Sequence, residues 1–483
     1  MKNKHKAGEA VGSSAHIGLK WTLSAATIIC LSACTMMPVY QQPALPVSAS
    51  YGGDAAPTAS AGQVLAADLH WREVYKDGKL QHLISAALSN NRDMRVALLN
   101  IEKARAQYRV QGASLFPSIS ASANESRQRI SGDLSSTGQS YISSPYSASV
   151  GFSSFELDVF GRVRSLKQQA LQEFLATEAN QHSTKISLIA EVASAYYTLA
   201  ADQALLVLAQ QTFTAQKDTL KLTQRKLEIG VENQLTVSQQ QTVVEEARAD
   251  AANYTAQVTM DKNALTLLVG GDVSPTLLPP LITAFPKNDV DLPAGLPSDA
   301  LTRRPDIISA EHSLLAANAN IGAARAAFFP KIALTATAGT SSGDLARLFM
   351  GGTGVWSFVP SITVPIFNMG SNRANLKIAN VERDIGIATY EKTIQTAFKE
   401  VSDALAQATG LREQVKAYEV QQAAAQQSLQ LSQARFNYGV DAYLTVLDAQ
   451  RTLYSTQKTL IGMQLAQLNN QATLYKVLGG GWQ

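Results

Sequence analysis

Proline is missing from two long stretches, between Pro145 and Pro275 and after Pro365. Proline removes a backbone donor and fixes φ, so its absence leaves both stretches free to run as uninterrupted helices. Cysteine is almost absent as well: Cys30 and Cys34 are the two in 483 residues, both near the start. That excludes a disulfide framework and a cysteine-based metal site. The six histidines (His5, His16, His70, His82, His182 and His312) are scattered without ligand spacing, so no metal is expected. No GxSxG, Walker-type or GxGxxG segment occurs, and no catalytic constellation appears. The chain is not expected to be an enzyme, and no cofactor is implied.

What is present begins with a leader. Lys2, Lys4, Lys6 and Lys20 precede or open an apolar run over 21–33, about half a membrane span, which reads as a signal h-region. The run ends in LSAC (31–34), which resembles a bacterial lipobox, so Cys34 is the expected lipidation site of a chain processed after residue 33. Thr35 stands where an aspartate would resemble an inner-membrane retention signal, which favours the outer membrane. Acyl chains add about 0.8 kcal/mol per buried methylene. Taking the four lysines and one glutamate of residues 1–33 from 41 and 38 leaves 37 of each sign. A neutral mature chain gives no reason to expect nucleic acid as a partner. Residues 34–70, rich in Pro, Ala, Ser and Gly, read as a tether.

From Trp71 onward the sequence repeats itself. LSNNRDMRVALLN (88–100) parallels LTRRPDIISAEHS (301–313), and ASLFPSISASA (113–123) parallels AAFFPKIALTA (326–336). DVFGRVRSLKQQA (158–170) parallels FNMGSNRANLKIA (367–379), and GVENQLTVSQQQT (230–242) parallels GVDAYLTVLDAQR (439–451). The offset drops from 213 to 209 between 123 and 158, so the halves differ by four residues there. Insertions concentrate in exposed loops. The resulting division is a first repeat over 71–275, a Pro- and Leu-rich linker over 270–297, a second repeat over 298–478 and a tail over 479–483.

Each repeat reads as helix, two strands, long helix, turn, helix. Val192, Leu199, Leu206, Phe213, Leu220 and Leu227 stand seven apart, the spacing of a coiled-coil seam. A second row, Ala201, Leu208, Ala215, Leu222 and Ile229, lies on another flank, so this helix needs neighbours on two sides. Over 161–229 it would reach about 100 Å at 1.5 Å per residue. The seam recurs as Val401, Ala408, Val415, Leu429 and Phe436, with Gln422 interrupting it. Strands are expected over 118–123 and 146–160, and over 331–339 and 356–367. Their alternation with small polar residues fits a transmembrane barrel strand and an ordinary surface hairpin alike. Four strands cannot close a membrane-spanning barrel, so a membrane reading demands several chains.

FELDVFGR (155–162), RRPDI (303–307), FFPKIALTATAG (328–339), GVDAYLTVLDAQR and LYKVLGGGW (474–482) resemble the outer membrane factor family, the TolC/OprM-like exit ducts of tripartite RND-type efflux pumps. The resemblance covers nearly the whole mature chain, with the motifs in family order. It implies a mixed fold, a 12-stranded outer-membrane β-barrel combined with a long periplasmic α-helical barrel, built by a homotrimer with two tandem structural repeats per chain. It implies a periplasmic adaptor and an inner-membrane transporter as partners, besides the outer-membrane lipid. The shorter helices would pair as 80–112 with 235–269 and 299–328 with 443–478.

The repeated turn then gains a meaning. Gly230 and Gly439 can take the left-handed conformation that ends a helix, giving each chain two helix–turn–helix tips. The resemblance places the closed gate and the adaptor contact at these tips. It assigns Leu444 and Asp448, where the first tip has Leu235 and Gln239, to the narrowest rings. Three Asp448 carboxylates would repel one another or hold cations, and three Leu444 side chains would resist wetting. Arg435, Tyr438, Tyr443 and Arg451 are the expected gate supports, Arg451 by pairing with a neighbouring carboxylate. Arg225, Gly230, Gly439 and Asp441 are the expected adaptor contacts. Glu156 and Asp158 read as structural. A duct for protein secretion and a periplasmic coiled-coil scaffold remain the alternatives to efflux.

Overall fold

The computed structural model describes residues 35–48, 69–284 and 298–480. Cys34, the leader and much of the tether and linker lie outside the described residues. The elements are α1 Trp71–Val74, α2 Gly78–Asn90, α3 Arg92–Ala113, β1 Ser120–Glu125, β2 Gln128–Ile130, β3 Tyr141–Ser143, β4 Tyr146–Leu157, α4 Arg162–Glu228 and α5 Gln234–Val269. They continue with α6 Pro305–Ala326, β5 Lys331–Ser342, β6 Gly354–Thr363, α7 Ser371–Asn437 and α8 Tyr443–Val477. Both proline-free stretches hold a 67-residue helix, α4 and α7.

Three local features depart from the sequence reading. The helix expected over 80–112 is two helices, because Asn91 ends α2 and starts α3. Its Oδ1 accepts from the Met94 N–H at 3.0 Å, while its Nδ2 donates to the Leu268 carbonyl at 2.9 Å. The first Ser-rich loop carries an additional small hairpin, β2 with β3. Strand bounds also move by a few residues, with β1 and β4 ending at Glu125 and Leu157 and β6 beginning at Gly354.

The chain forms two compact units, each drawing on both repeats. One comprises, among the described residues, 35–43, 102–175 and 311–389 and holds the antiparallel sheet, in the order β1–β4–β5–β6. Its register separates two faces. Ile332, Leu334, Ala336 and Ala338 pair with Ile362, Pro360, Phe358 and Trp356, and on the other side with Leu157, Phe155, Phe152 and Val150. The alternate positions are small and mostly polar: Ser122, Ser149, Thr335, Thr337, Ser357 and Ser361. A bulge between Phe152 and Phe155 keeps both rings on the apolar face. It contains Ser154 at φ 54, whose N–H donates to Thr335 Oγ1 at 3.0 Å. Both edges, β1 and β6, lack a further strand among the described residues.

The segment after Thr35 straps onto α6 in this same unit. Arg325 donates to the Met36 carbonyl (3.4 Å), Asn318 to the Pro38 carbonyl (2.9 Å), and the Tyr40 hydroxyl to Glu311 (3.2 Å). The strap therefore runs antiparallel to α6, and its first residues lie beside the helix end that leads into β5. Gly322 allows the crossing: a Cβ there would meet Met37 Cγ at 2.5 Å and Ser165 Oγ at 2.6 Å.

The other unit comprises, among the described residues, 44–48, 69–101, 176–284, 298–310 and 390–480. Its main core joins Trp71, Leu80, Leu83, Ile84, Ile189, Val192, Tyr196, Leu265 and Tyr475. The Tyr196 hydroxyl donates to Asp77 Oδ2 (2.9 Å), while Asp77 Oδ1 caps α2. One 18-residue stretch of α4 is apolar enough to cross a membrane, yet 56% of it is buried inside the protein.

Arg304 is the charged hub of this unit, 8% exposed. It makes a bidentate pair with Asp306 (3.0 and 2.7 Å), and it donates to Glu400 on α7 (2.8 Å) and to the Val477 carbonyl ending α8 (2.6 Å).

Candidate functional site

The helix tips lie in this second unit and follow from the repeated turn. Gly230 and Gly439 sit at φ 74 and 70. Each closes a Schellman motif. The Val231 N–H donates to the Lys226 carbonyl (2.8 Å) and Gly230 to Leu227 (2.9 Å); Val440 donates to Arg435 (2.9 Å) and Gly439 to Phe436 (2.9 Å). Any L-residue at either glycine would be strained.

The two tips are then finished differently. Asn233 caps α5 by accepting from the Thr236 N–H at 3.0 Å. Its counterpart Ala442 offers no side-chain cap to α8. Instead Arg435 grips Asp441 with two hydrogen bonds of 2.7 and 2.9 Å, which holds the Asp441 carboxyl below its ordinary pKa. The corresponding Lys226 lies over the Phe436 ring, linking the first tip to the second.

A buried polar relay also joins the tips. Gln240 on α5 is fully buried and donates to Gln216 Oε1 and to the Gln216 carbonyl on α4 (2.6 and 3.2 Å). The Tyr443 hydroxyl on α8 donates to Gln240 Oε1 (2.9 Å), and Gln216 donates to Gln450 Oε1 (3.0 Å). Burial, then the Glu232 charge, pushes the Tyr443 hydroxyl up to about 12, so it stays a donor at any physiological pH. Satisfied buried networks of this kind fix one arrangement, because breaking one bond strands its partner. The sequence comparison of the two tips points to the neighbouring Gln239 and misses Gln240. The signal that finds Gln240 is the spacing Val237, Gln240, Val244, Ala247, which puts a glutamine in an apolar stripe.

Around this frame, Leu444, Asp448 and Arg451 project from one exposed face of α8, opposite buried Val446, Ala449 and Leu453. Leu444 is 54% exposed. Arg451 has no carboxylate partner among the described residues; the arginine that pairs at this turn is Arg435. Tyr438 is exposed and likewise unpartnered among the described residues. Arg225, Gly230 and Gly439 are exposed at the tips.

The seam rows differ in the same region. Leu220 is buried and Phe213 and Leu227 are half-buried, whereas in the second row Ala215 and Leu222 are exposed and Ile229 is 74% exposed. Among the described residues of one chain, the second seam is left uncovered near the tip.

Farther from the tip, Asp261 on α5 meets Asp202 on α4. Burial, then the hydrogen bond with Asp202, raises Asp261 to about 7. Two carboxyls in contact share a proton. Folded Asp261 therefore keeps its proton where the unfolded chain, near 3.8, has lost it. The pair's contribution is complete below about pH 3.8 and is lost as pH rises through about 7. Asp261→Asn is therefore expected to melt with less loss of stability between pH 5 and 8 than the parent chain, followed by circular dichroism. Parallel pH profiles for the two proteins would refute the shared proton.

Comparison with known proteins places this geometry. A family model described as "Outer membrane efflux protein" matches residues 83–271 and 296–480. The antibiotic efflux pump outer membrane protein ArpC of Pseudomonas putida is 50% identical over 464 residues, covering 95% of each chain. The toluene efflux pump outer membrane protein TtgC, also of Pseudomonas putida, has the same figures. Among solved structures, the open state of the Neisseria gonorrhoeae MtrE outer membrane channel superposes with a TM-score of 0.83 at 39% identity, covering 93% of this chain and 99% of that one. With two helix–turn–helix tips, an amphipathic four-stranded sheet and these matches along nearly its whole length, the chain belongs to the outer membrane efflux protein family.

Proposed function

We propose that three copies of this chain close their sheets into one 12-stranded outer-membrane barrel and form the passive exit duct of a tripartite efflux pump. The observation that carries this is the sheet. It has one apolar face, one small polar face, strands of 6 to 12 residues and two open edges. An open edge cannot persist in lipid, because each unpaired backbone group there costs several kcal/mol. Copies of the chain supply β6 to β1 and remove both edges. The uncovered second seam on α4 supports the same association.

Energy must come from an inner-membrane transporter, with a periplasmic adaptor gripping the tips at Arg225, Gly230, Gly439 and Asp441. Leu444 and Asp448 form the gate rings. Arg435, Tyr443 and the glutamine relay hold the second tip, while Arg451 and Tyr438 remain for a neighbouring copy. Cys34 carries the lipid anchor: the strap that begins at Thr35 starts beside the α6 end that leads into β5, next to the apolar sheet. The names of the relatives support export of antibiotics and apolar solvents such as toluene over protein secretion. Purified protein in planar bilayers tests the duct. Discrete single-channel currents are expected, and well-folded protein without any current would leave the coiled-coil scaffold as the better account.

A further inference from the structure

The sheet's polar face holds a second electrostatic feature. Along that face the paired residues are Ser, Thr, Gly, Ala, Val and Asn, with two exceptions on the two successive rungs nearest the helices, Glu156 on β4 and Lys331 on β5. Glu156 pairs across with Ala333 and Lys331 with Thr363, so both belong to this face. The apolar face must meet lipid, so the polar face, and Lys331 with it, lines the lumen.

The charges there do not cancel. Arg162 takes both Glu156 oxygens at 2.8 Å, and Lys331 Nζ stands 3.2 Å from Glu156 Oε2. Arg164 is matched by Asp158. One carboxylate thus faces two cations, leaving one positive charge in excess per chain. Exposure decides which charge a passing solute meets: the Glu156 side chain is 13% exposed and that of Lys331 is 55%. A hollow of about 290 Å³ lined by Phe160, Phe329, Pro330 and Lys331 keeps open space beside the ammonium.

From this geometry we infer that Lys331 is a charge-selecting residue of the duct. Three copies form a positive collar at the last rung of the barrel, distinct from the carboxylate ring of Asp448. The collar favours anionic and neutral solutes and retards cationic ones. The inference rests on the trimeric barrel proposed above.

The test is the cation-to-anion permeability ratio, read as a reversal potential across a salt gradient in planar bilayers. Lys331→Arg should match the parent protein, Lys331→Gln should shift toward cations, and Lys331→Glu should shift about twice as far. The full excursion should be on the order of fivefold near 0.01 M salt, where the screening length is about 30 Å, and should vanish near 1 M, where it is about 3 Å. A structural role alone would move Gln and Glu variants alike. Lys331→Cys gives a second readout, made cationic or anionic after folding by charged thiosulfonates; Cys34 is consumed by the lipid and Cys30 lies in the leader. Conducting channels whose ratio ignores the charge at 331 would overturn the collar and leave the duct standing. Absence of channels in the parent protein would remove the duct, and the collar with it.

Discussion

Replacing Arg304 by methionine is expected to destabilise the chain by about 3 kcal/mol and to lower its melting temperature by roughly 3–5 °C. The side chain joins the start of α6, the middle of α7 and the last carbonyl of α8. Methionine fills similar volume but strands the Val477 carbonyl without its donor. Asp306 and Glu400 are each about two-fifths exposed, so water rehydrates them and the loss stays below that of a fully buried pair. Arg304→Lys should recover less than half, since a single ammonium cannot keep the bidentate fork and both other acceptors. Melting within about 1 °C of the parent protein would show that the hub contributes little beyond what water can replace.

Asp448→Ala is expected to abolish cation preference and to raise single-channel conductance several-fold. In a trimer the exposed face of α8 brings three Asp448 carboxylates and three Leu444 side chains around one axis. At a spacing of roughly 8 Å, each carboxylate pair repels by about 2 kcal/mol at an effective dielectric of 20. Such a ring captures cations, and the captured cations obstruct the constriction. Leu444→Ala should also raise conductance, through easier wetting and with selectivity kept. The two variants separate charge from steric closure. Unchanged currents in both would move the constriction away from α8.

Periodic features were legible in the sequence because they are local. The absence of proline and the heptad row from Val192 to Leu227 gave α4 its length. The glycines of the repeated turn gave both tips, since the left-handed conformation is a property of one residue. Features that depend on distant partners were not legible. Arg304 stands in RRPDI like any arginine beside a helix start, and its partners Glu400 and Val477 lie 96 and 173 residues away. Asn91 reads as part of a continuous helix until its side chain finds Met94 and Leu268. The bulge at Ser154 leaves no pattern beyond Ser153–Ser154, yet it decides which face Phe155 takes. Gln240 was within reach, as a polar residue in a buried stripe.

The open sheet edges carry the proposed duct, and cysteine cross-linking in the native membrane tests them most directly. Ser122→Cys on β1, combined in turn with cysteine at Ser357, Val359 or Ser361 on β6, samples the register between neighbouring copies. Facing Cα atoms in an antiparallel pair stand about 4.5–5.5 Å apart, within disulfide reach. Mild oxidation should convert one of these pairs into a covalent trimer that returns to monomer on reduction. Efficient oxidation that never joins one chain to another, from any of the three positions in correctly inserted protein, would contradict a barrel closed by three sheets.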